Sequence, residues 1–167
     1  MSSSIAEEVL RGEAEQPAVS HETEEKELAL RSLFRQMRSA LVAFSGGVDS
    51  SYVAYVASDE LGQRALCVTG ESPSLAENQR SQATEIAARF GFRHETISTE
   101  EMDDPRYTAN AGNRCYFCKT ELYSKLAPLA AARGLAAVVD GSTTDDLGDY
   151  RPGRAAAQEH DVRSPLV

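Results

Sequence analysis

Apolar positions along this chain alternate between two periods. From Glu24, the stretch "EEKELALRSLFRQMRSA" places Leu28, Leu33, Phe34 and Met37 on one face of an amphipathic helix, with Leu30 off the stripe. The short apolar run "ALVAF" (40–44) then reads as a buried strand. Val48 to Leu61 returns to helical spacing, with Val48, Tyr52, Tyr55 and Val56 on one side and Gly62 as the stop. "ALCVT" (65–69) is the next strand, and 72–91 a helix that opens on a Ser cap and closes on Gly91. "RHETIS" (93–98) is a weaker strand, followed by a loop over 99–113. A helix from Arg114 to Arg133 is expected to kink at Pro128. "LAAVVDG" (135–141) is a buried-type strand and 142–153 a loop. A short helix from Pro152 to His160 and a last strand in "VRSPLV" (162–167) complete the series.

Strands separated by helical segments predict an α/β domain, a doubly wound and mostly parallel sheet with flanking helices. Ligands of such sheets bind at the carboxyl ends of strands, beside the topological switch point. The junctions at 45–51, 69–74 and 140–146 should therefore open on one edge.

The charge changes this picture only at the amino end. Of the net −9, residues 1–27 carry −6, which leaves −3 for residues 28–167. Residues 1–23 are expected to form a disordered acidic tail ahead of a domain spanning 24–167. A nearly balanced body gives no broad basic surface for nucleic acid. No apolar run approaches the roughly 20 residues that span a membrane. Neither a secretory start nor a disulfide framework is visible, since Cys67, Cys115 and Cys118 are the three cysteines. The cytoplasm is the expected compartment.

The chemistry concentrates after the first strand, where the chain reads Ser45-Gly46-Gly47-Val48-Asp49-Ser50-Ser51. Two adjacent glycines leave backbone N–H groups uncovered, and the following helix adds its positive amino end, so the pattern suits phosphates. Ser45, Ser50 and Ser51 carry hydroxyl donors. Asp49 beside phosphates makes sense with a Mg²⁺ ion between them, or as a cap that orders the loop. A Gly-Gly turn with ordinary Ser and Asp caps is the simpler reading, but the six-residue pattern directly after an apolar strand favours phosphate binding. A side chain at Gly47 should fill the phosphate space and demand a disfavoured backbone angle.

This pattern resembles the PP-loop of the ATP pyrophosphatase superfamily. The resemblance implies an adenine nucleotide alpha hydrolase-like fold and cleavage of ATP between its α- and β-phosphates. "VTGESPSLAENQ" (68–79), "NRCYFCKTELYSKL" (113–126) and "DGSTTDDLGDYRPGRAA" (140–156) further resemble the LarE family of ATP-dependent sacrificial sulfur transferases. That resemblance covers roughly residues 28–167. It implies ATP and Mg²⁺ as cofactors and adenylation of a pyridinium dicarboxylate mononucleotide. A cysteine then supplies sulfur, as in biosynthesis of the nickel-pincer nucleotide cofactor. The family's donor cysteine follows the "RSPL" strand, so the sulfur-transfer region is expected to be absent from this chain. An apolar sheet edge would then be uncovered and would favour a homo-oligomer. The alternatives are an incomplete ATP-binding module that needs a partner or a further domain, or a PP-loop enzyme of tRNA thiolation or amide synthesis.

The resemblance also distributes roles. Ser45, Gly46, Gly47, Asp49, Ser50 and Ser51 are expected to hold the phosphates, with Asp49 on the metal. Thr69, Gly70, Ser72, Gly141 and Ser142 are expected around adenine and ribose, flanked by Glu71 to Ser74. Ser45, Asp49, Cys115 and Cys118 are the candidate catalytic residues. The C-x-x-C pair has two open readings, a redox, metal or persulfide role and simple packing at a helix start. Tyr150 and Arg151 could meet a substrate phosphate, since arginine offers a bidentate fork. Asp145 and Asp146 are either metal or substrate contacts or a solvated loop. Cys67 should be a buried apolar residue, and neither His94 nor His160 is assigned to catalysis.

Overall fold

The computed structural model describes residues 19–72, 77–100, 105, 114–144 and 152–167. At its centre lies β1 (Ala40–Ala43), whose four residues are apolar and of which Ala40, Leu41 and Val42 are buried. Parallel β2 (Ala65–Glu71) pairs along one side of it, with Ala40 opposite Ala65 and Ala43 opposite Val68. β3 (His94–Ser98) continues outward from β2, and β4 (Val138–Val139) pairs with the other side of β1. The order is β3-β2-β1-β4, all parallel, as expected for a doubly wound sheet.

Successive side chains of a strand face opposite ways, and the two faces bury different helices. Ala40, Val42, Phe44, Ala65, Cys67 and Val139 pack beneath α1 (His21–Met37), α2 (Val48–Leu61) and α3 (Glu77–Phe90). Leu41, Leu66, Val68 and Val138 pack against α4 (Arg114–Ala132) and α5 (Pro152–Glu159). β1, β2 and β4 are thus apolar on both faces, which is why they read as continuous runs rather than as alternating ones, whereas β3 is only partly buried.

Several boundaries and faces differ from the sequence expectation. α1 starts at His21, inside the stretch expected to be disordered, because the Ser20 hydroxyl caps it by accepting from the Thr23 amide at 3.2 Å. Residues 1–18 of the expected tail lie outside the described residues. The buried stripe of α1 is Leu30 and Phe34 with Met37 against the core, whereas Leu28 and Leu33 face water. Spacing 30, 34, 37 is itself helical, and Arg31 beside it reaches across to Asp59 and Glu60 of α2. On α2, the buried side is Val53, Ala54, Val56, Ala57 and Leu61, while Val48, Tyr52 and Tyr55 are exposed. Small alanines let this helix approach the sheet, and the tyrosines are left at its rim. α3 is described only from Glu77, so Pro73 and Ser74 of the expected cap lie outside the described residues, as does most of the 99–113 loop. α4 runs through Pro128 as one helix. The run 135–141 yields only a two-residue strand, and 162–167 only two isolated bridges, Val139 to Arg163 and Thr143 to Leu166. Pro165 lies between those bridges and has no N–H to extend a ladder.

Candidate functional site

After β1 the chain moves to β2 and β3 on one side, then crosses back through α4 to β4 on the other. The carboxyl end of β1 is therefore the switch point, and Ser45–Ser51 occupies it. Gly46 has φ +77°, and a Cβ there would lie 2.9 Å from the Ala83 Cα. Glycine meets both demands, so α3 can press directly on the loop, where the Gln82 amide donates to the Gly46 carbonyl at 3.1 Å. Gly47 caps α2 in extended backbone, φ −73° and ψ 164°. The expectation of a disfavoured angle at Gly47 is corrected: the strained glycine is Gly46.

The serine hydroxyls serve the loop itself. Ser50 Oγ accepts from the Ser45 amide at 3.3 Å and donates to the Gly47 carbonyl at 3.1 Å. With its one proton used there, it accepts from Ser45 Oγ at 3.0 Å. Ser45 Oγ in turn accepts from the Gly47 amide at 3.3 Å. Ser51 Oγ is buried, with no hydrogen-bond partner among the described residues. The first amides of α2 have no acceptor within the helix. Asp49 stands on that turn, exposed.

The facing turn follows β4. Asp140 is only 4% exposed, and its carboxylate accepts from Tyr123 Oη at 2.9 Å, Ser142 N at 3.1 Å, Ser142 Oγ at 2.8 Å and Ser164 Oγ at 2.7 Å. Lys119 Nζ stands 3.8 Å from the same carboxylate and 3.5 Å from Ser142 Oγ. Burial, followed by the negative charge of Asp140, raises the Tyr123 phenol well above its ordinary range, so it stays a donor. Gly141 lies against the loop: a Cβ there would meet Ser50 N at 2.6 Å.

Between the two turns opens a cavity of about 260 Å³, lined by Ser45, Asp49, Lys119, Tyr123, Asp140 and Ser142 among others. A second of similar volume opens on the β2 side, with Phe44, Thr69, Gly70 and Gln82. Ser45, Gly47 and Leu122 border both, so the glycine loop is the partition between them.

Most of the expected residues meet here, though not always in the expected role. The Thr69 hydroxyl donates to the Phe44 carbonyl at 2.7 Å, which leaves its lone pairs for His94 Nε2 at 2.8 Å. Gly70 is a point of close approach, where a Cβ would meet Leu122 Cδ1 at 2.9 Å. Ser72 is buried beyond the end of the cavity lining. Cys115 and Cys118 line neither cavity. Cys67 is fully buried, and burial pushes its thiol up to about 12. Asp145, Asp146, Tyr150 and Arg151 lie outside the described residues. Sequence reasoning missed Lys119, Asp140, Tyr123 and Gln82. The readable signals were the lysine directly after the second cysteine and the aspartate closing an apolar strand. Among the described residues no three metal-ligating side chains converge, and no helix is long and apolar enough to cross a membrane.

The Ser45–Ser51 pattern at the switch point of a parallel sheet, together with the matches below, makes this a PP-loop ATP pyrophosphatase domain. Residues 26–146 match the family model described as asparagine synthase, and the chain belongs to that family. It is also a LarE homologue: the pyridinium-3,5-bisthiocarboxylic acid mononucleotide synthase of Lactiplantibacillus plantarum is 32% identical over 142 residues, 84% of this chain and 51% of that protein. An uncharacterized protein of Synechocystis is 52% identical over 83% of this chain and 52% of its own length. Among solved structures, the glutamine-dependent NAD+ synthetase from Acinetobacter baumannii in complex with ADP aligns with a TM-score of 0.65. That alignment has 17% identity and covers 80% of this chain and 28% of that one, a likeness of fold. The chain spans about half the length of the curated relatives it matches.

Proposed function

We propose that this chain binds ATP across the Ser45–Ser51 loop and adenylates a carboxylate of a pyridinium dicarboxylate mononucleotide, the step that precedes sulfur insertion. The observation that carries this reading is the pair of cavities on either side of one glycine loop. The β2-side cavity, with Phe44, Thr69, Gly70 and Gln82, takes adenine and ribose. The triphosphate crosses the loop at the amino end of α2, where uncovered amides and the helix dipole favour anions. The β4-side cavity then receives the substrate carboxylate. Its oxygen attacks the α-phosphorus, the bond to the β-phosphate oxygen breaks, and pyrophosphate departs. Lys119 meets the charge that develops on the leaving group, held in place by Asp140 and Ser142. Magnesium fits the exposed carboxylate of Asp49, because that ion is commonly held by one or two carboxylates plus phosphate oxygens. When bound, it neutralises phosphate charge.

A second reading is a nucleotide-binding module that holds ATP without adenylating a carboxylate, favoured by the Ser45 and Ser50 hydroxyls being used within the loop. Exchange of labelled pyrophosphate into ATP separates the two. Carboxylate-dependent exchange is expected for the enzyme; tight ATP binding without exchange would support the module.

A further inference from the structure

We propose that Cys115 and Cys118 form a dithiol that closes reversibly to a disulfide and so modulates the binding of ATP beside Lys119; the modulation rests on the nucleotide reading above. Both residues carry thiols on the first turn of α4, with Cys115 exposed and Cys118 half-buried. Residues three apart on an α-helix have Cα atoms about 5 Å apart, inside the span of roughly 4.4–6.8 Å that a disulfide bridges. Their Cβ atoms, about 5–6 Å apart at this spacing, must close to roughly 3.5–4.5 Å, which tightens the first turn of α4. Exposure lets the Cys115 thiolate attack a small-molecule disulfide such as glutathione disulfide. That attack forms a mixed disulfide and releases one thiolate. Cys118 then attacks the Cys115 sulfur and expels the second thiol. Two electrons pass from the pair to the reagent, which leaves as two thiols.

The link to the cavity runs along one stripe of α4. Cys115, Lys119, Leu122 and Tyr123 recur at helical spacing, and the last three line the cavity. Gly153 of α5 lies against this stripe: a Cβ there would meet Lys119 Cδ at 2.7 Å and Cys115 Sγ at 2.9 Å. Closing the disulfide draws Cys115 Sγ toward Cys118 and off Gly153. The wall that holds the Lys119 stem then loosens. Cys67, buried and with its thiol raised, provides an unreactive internal reference.

The test treats the full chain with glutathione disulfide, maps its cysteines by mass spectrometry, and titrates ATP into oxidised and reduced samples. A Cys115–Cys118 linkage is expected, with ATP binding weakened roughly five-fold or more and restored by dithiothreitol. The double variant Cys115→Ser with Cys118→Ser should no longer respond to the reagent. A glutathione adduct that persists on Cys115, with no internal linkage, overturns the pairing. Equal ATP affinity in the two states overturns the coupling. If reduced protein fails to bind ATP, the nucleotide reading fails instead. Amide exchange over 152–159 then decides the coupling without any nucleotide: faster exchange on oxidation supports it, and unchanged exchange overturns it.

Discussion

Two turns face each other across the β4-side cavity, and they are built on opposite principles. The Ser45–Ser51 loop is held by backbone geometry: a left-handed Gly46, a close approach to Ala83 and four serine hydrogen bonds, with its one carboxylate exposed. The 140–142 turn is held by a buried carboxylate on which Tyr123, Ser142 and Ser164 converge from three parts of the chain. The first turn leaves the opening amides of α2 without an acceptor within the helix, whereas the second turns its polar groups inward and has Lys119 beside it. An anion site needs both, since uncovered donors bind only where their wall cannot shift.

Removing the buried carboxylate tests this contrast most severely. Asp140→Ala orphans the Tyr123 hydroxyl and both serine hydroxyls in a dry setting, and should cost about 3 kcal/mol or more of stability. Asp49→Ala, on the exposed turn, should leave stability nearly unchanged. Urea unfolding of the two variants measures the difference, and equal losses would erase the distinction between the turns.

Gly141→Ala comes next, because it drives one turn into the other. Its Cβ would meet backbone atoms, Ser50 N at 2.6 Å and Ser50 Cα at 2.8 Å, which no side-chain rotation can relieve. A loss of about 1–3 kcal/mol is expected, together with weakened ATP binding in calorimetric titration. Gly47→Ala is the matched control. Its Cβ finds only Ser45 Oγ at 3.4 Å and its backbone is extended, so any loss there should appear in ATP affinity rather than in stability.

Lys119→Met sharpens the comparison without touching the fold. It keeps the stem against Gly153 and removes the charge, so ATP affinity should fall roughly tenfold, about 1.4 kcal/mol, with the unfolding midpoint almost unmoved. An unaltered affinity would take Lys119 out of the phosphate site.

These two turns were not equally legible in the sequence. The glycine loop could be read because backbone chemistry forces residue types at fixed spacing, and an apolar run marks where it starts. The parallel sheet was legible for a similar reason: strands buried on both faces must be continuously apolar. The Asp140 cluster was not, since Tyr123, Ser142 and Ser164 have no sequence spacing in common and meet only through the fold. Helix faces failed differently. Leu28 and Tyr52 look like core by pattern, yet α1 and α2 pack through Leu30, Phe34 and a run of small residues, and neighbouring ion pairs settle the rotation.

The smallest expected effect lies behind the glycine loop. The Thr69 hydroxyl holds the Phe44 carbonyl, the last fixed group before Ser45, and its one proton is used there. His94 Nε2 must therefore donate to Thr69, which places the neutral ring's proton on Nε2. Burial pushes the His94 pKa below its ordinary 6.5, with the Glu71 charge opposing that shift. Because the folded value is depressed, the unfolded chain binds more protons between that lowered value and 6.5. Stability is thus fully present above 6.5, declines as pH falls through this window, and levels off below it. Replacing the ring by His94→Gln keeps a donor but nothing to titrate, so its unfolding free energy should lose that slope. A slope that survives in His94→Gln would assign it to another group.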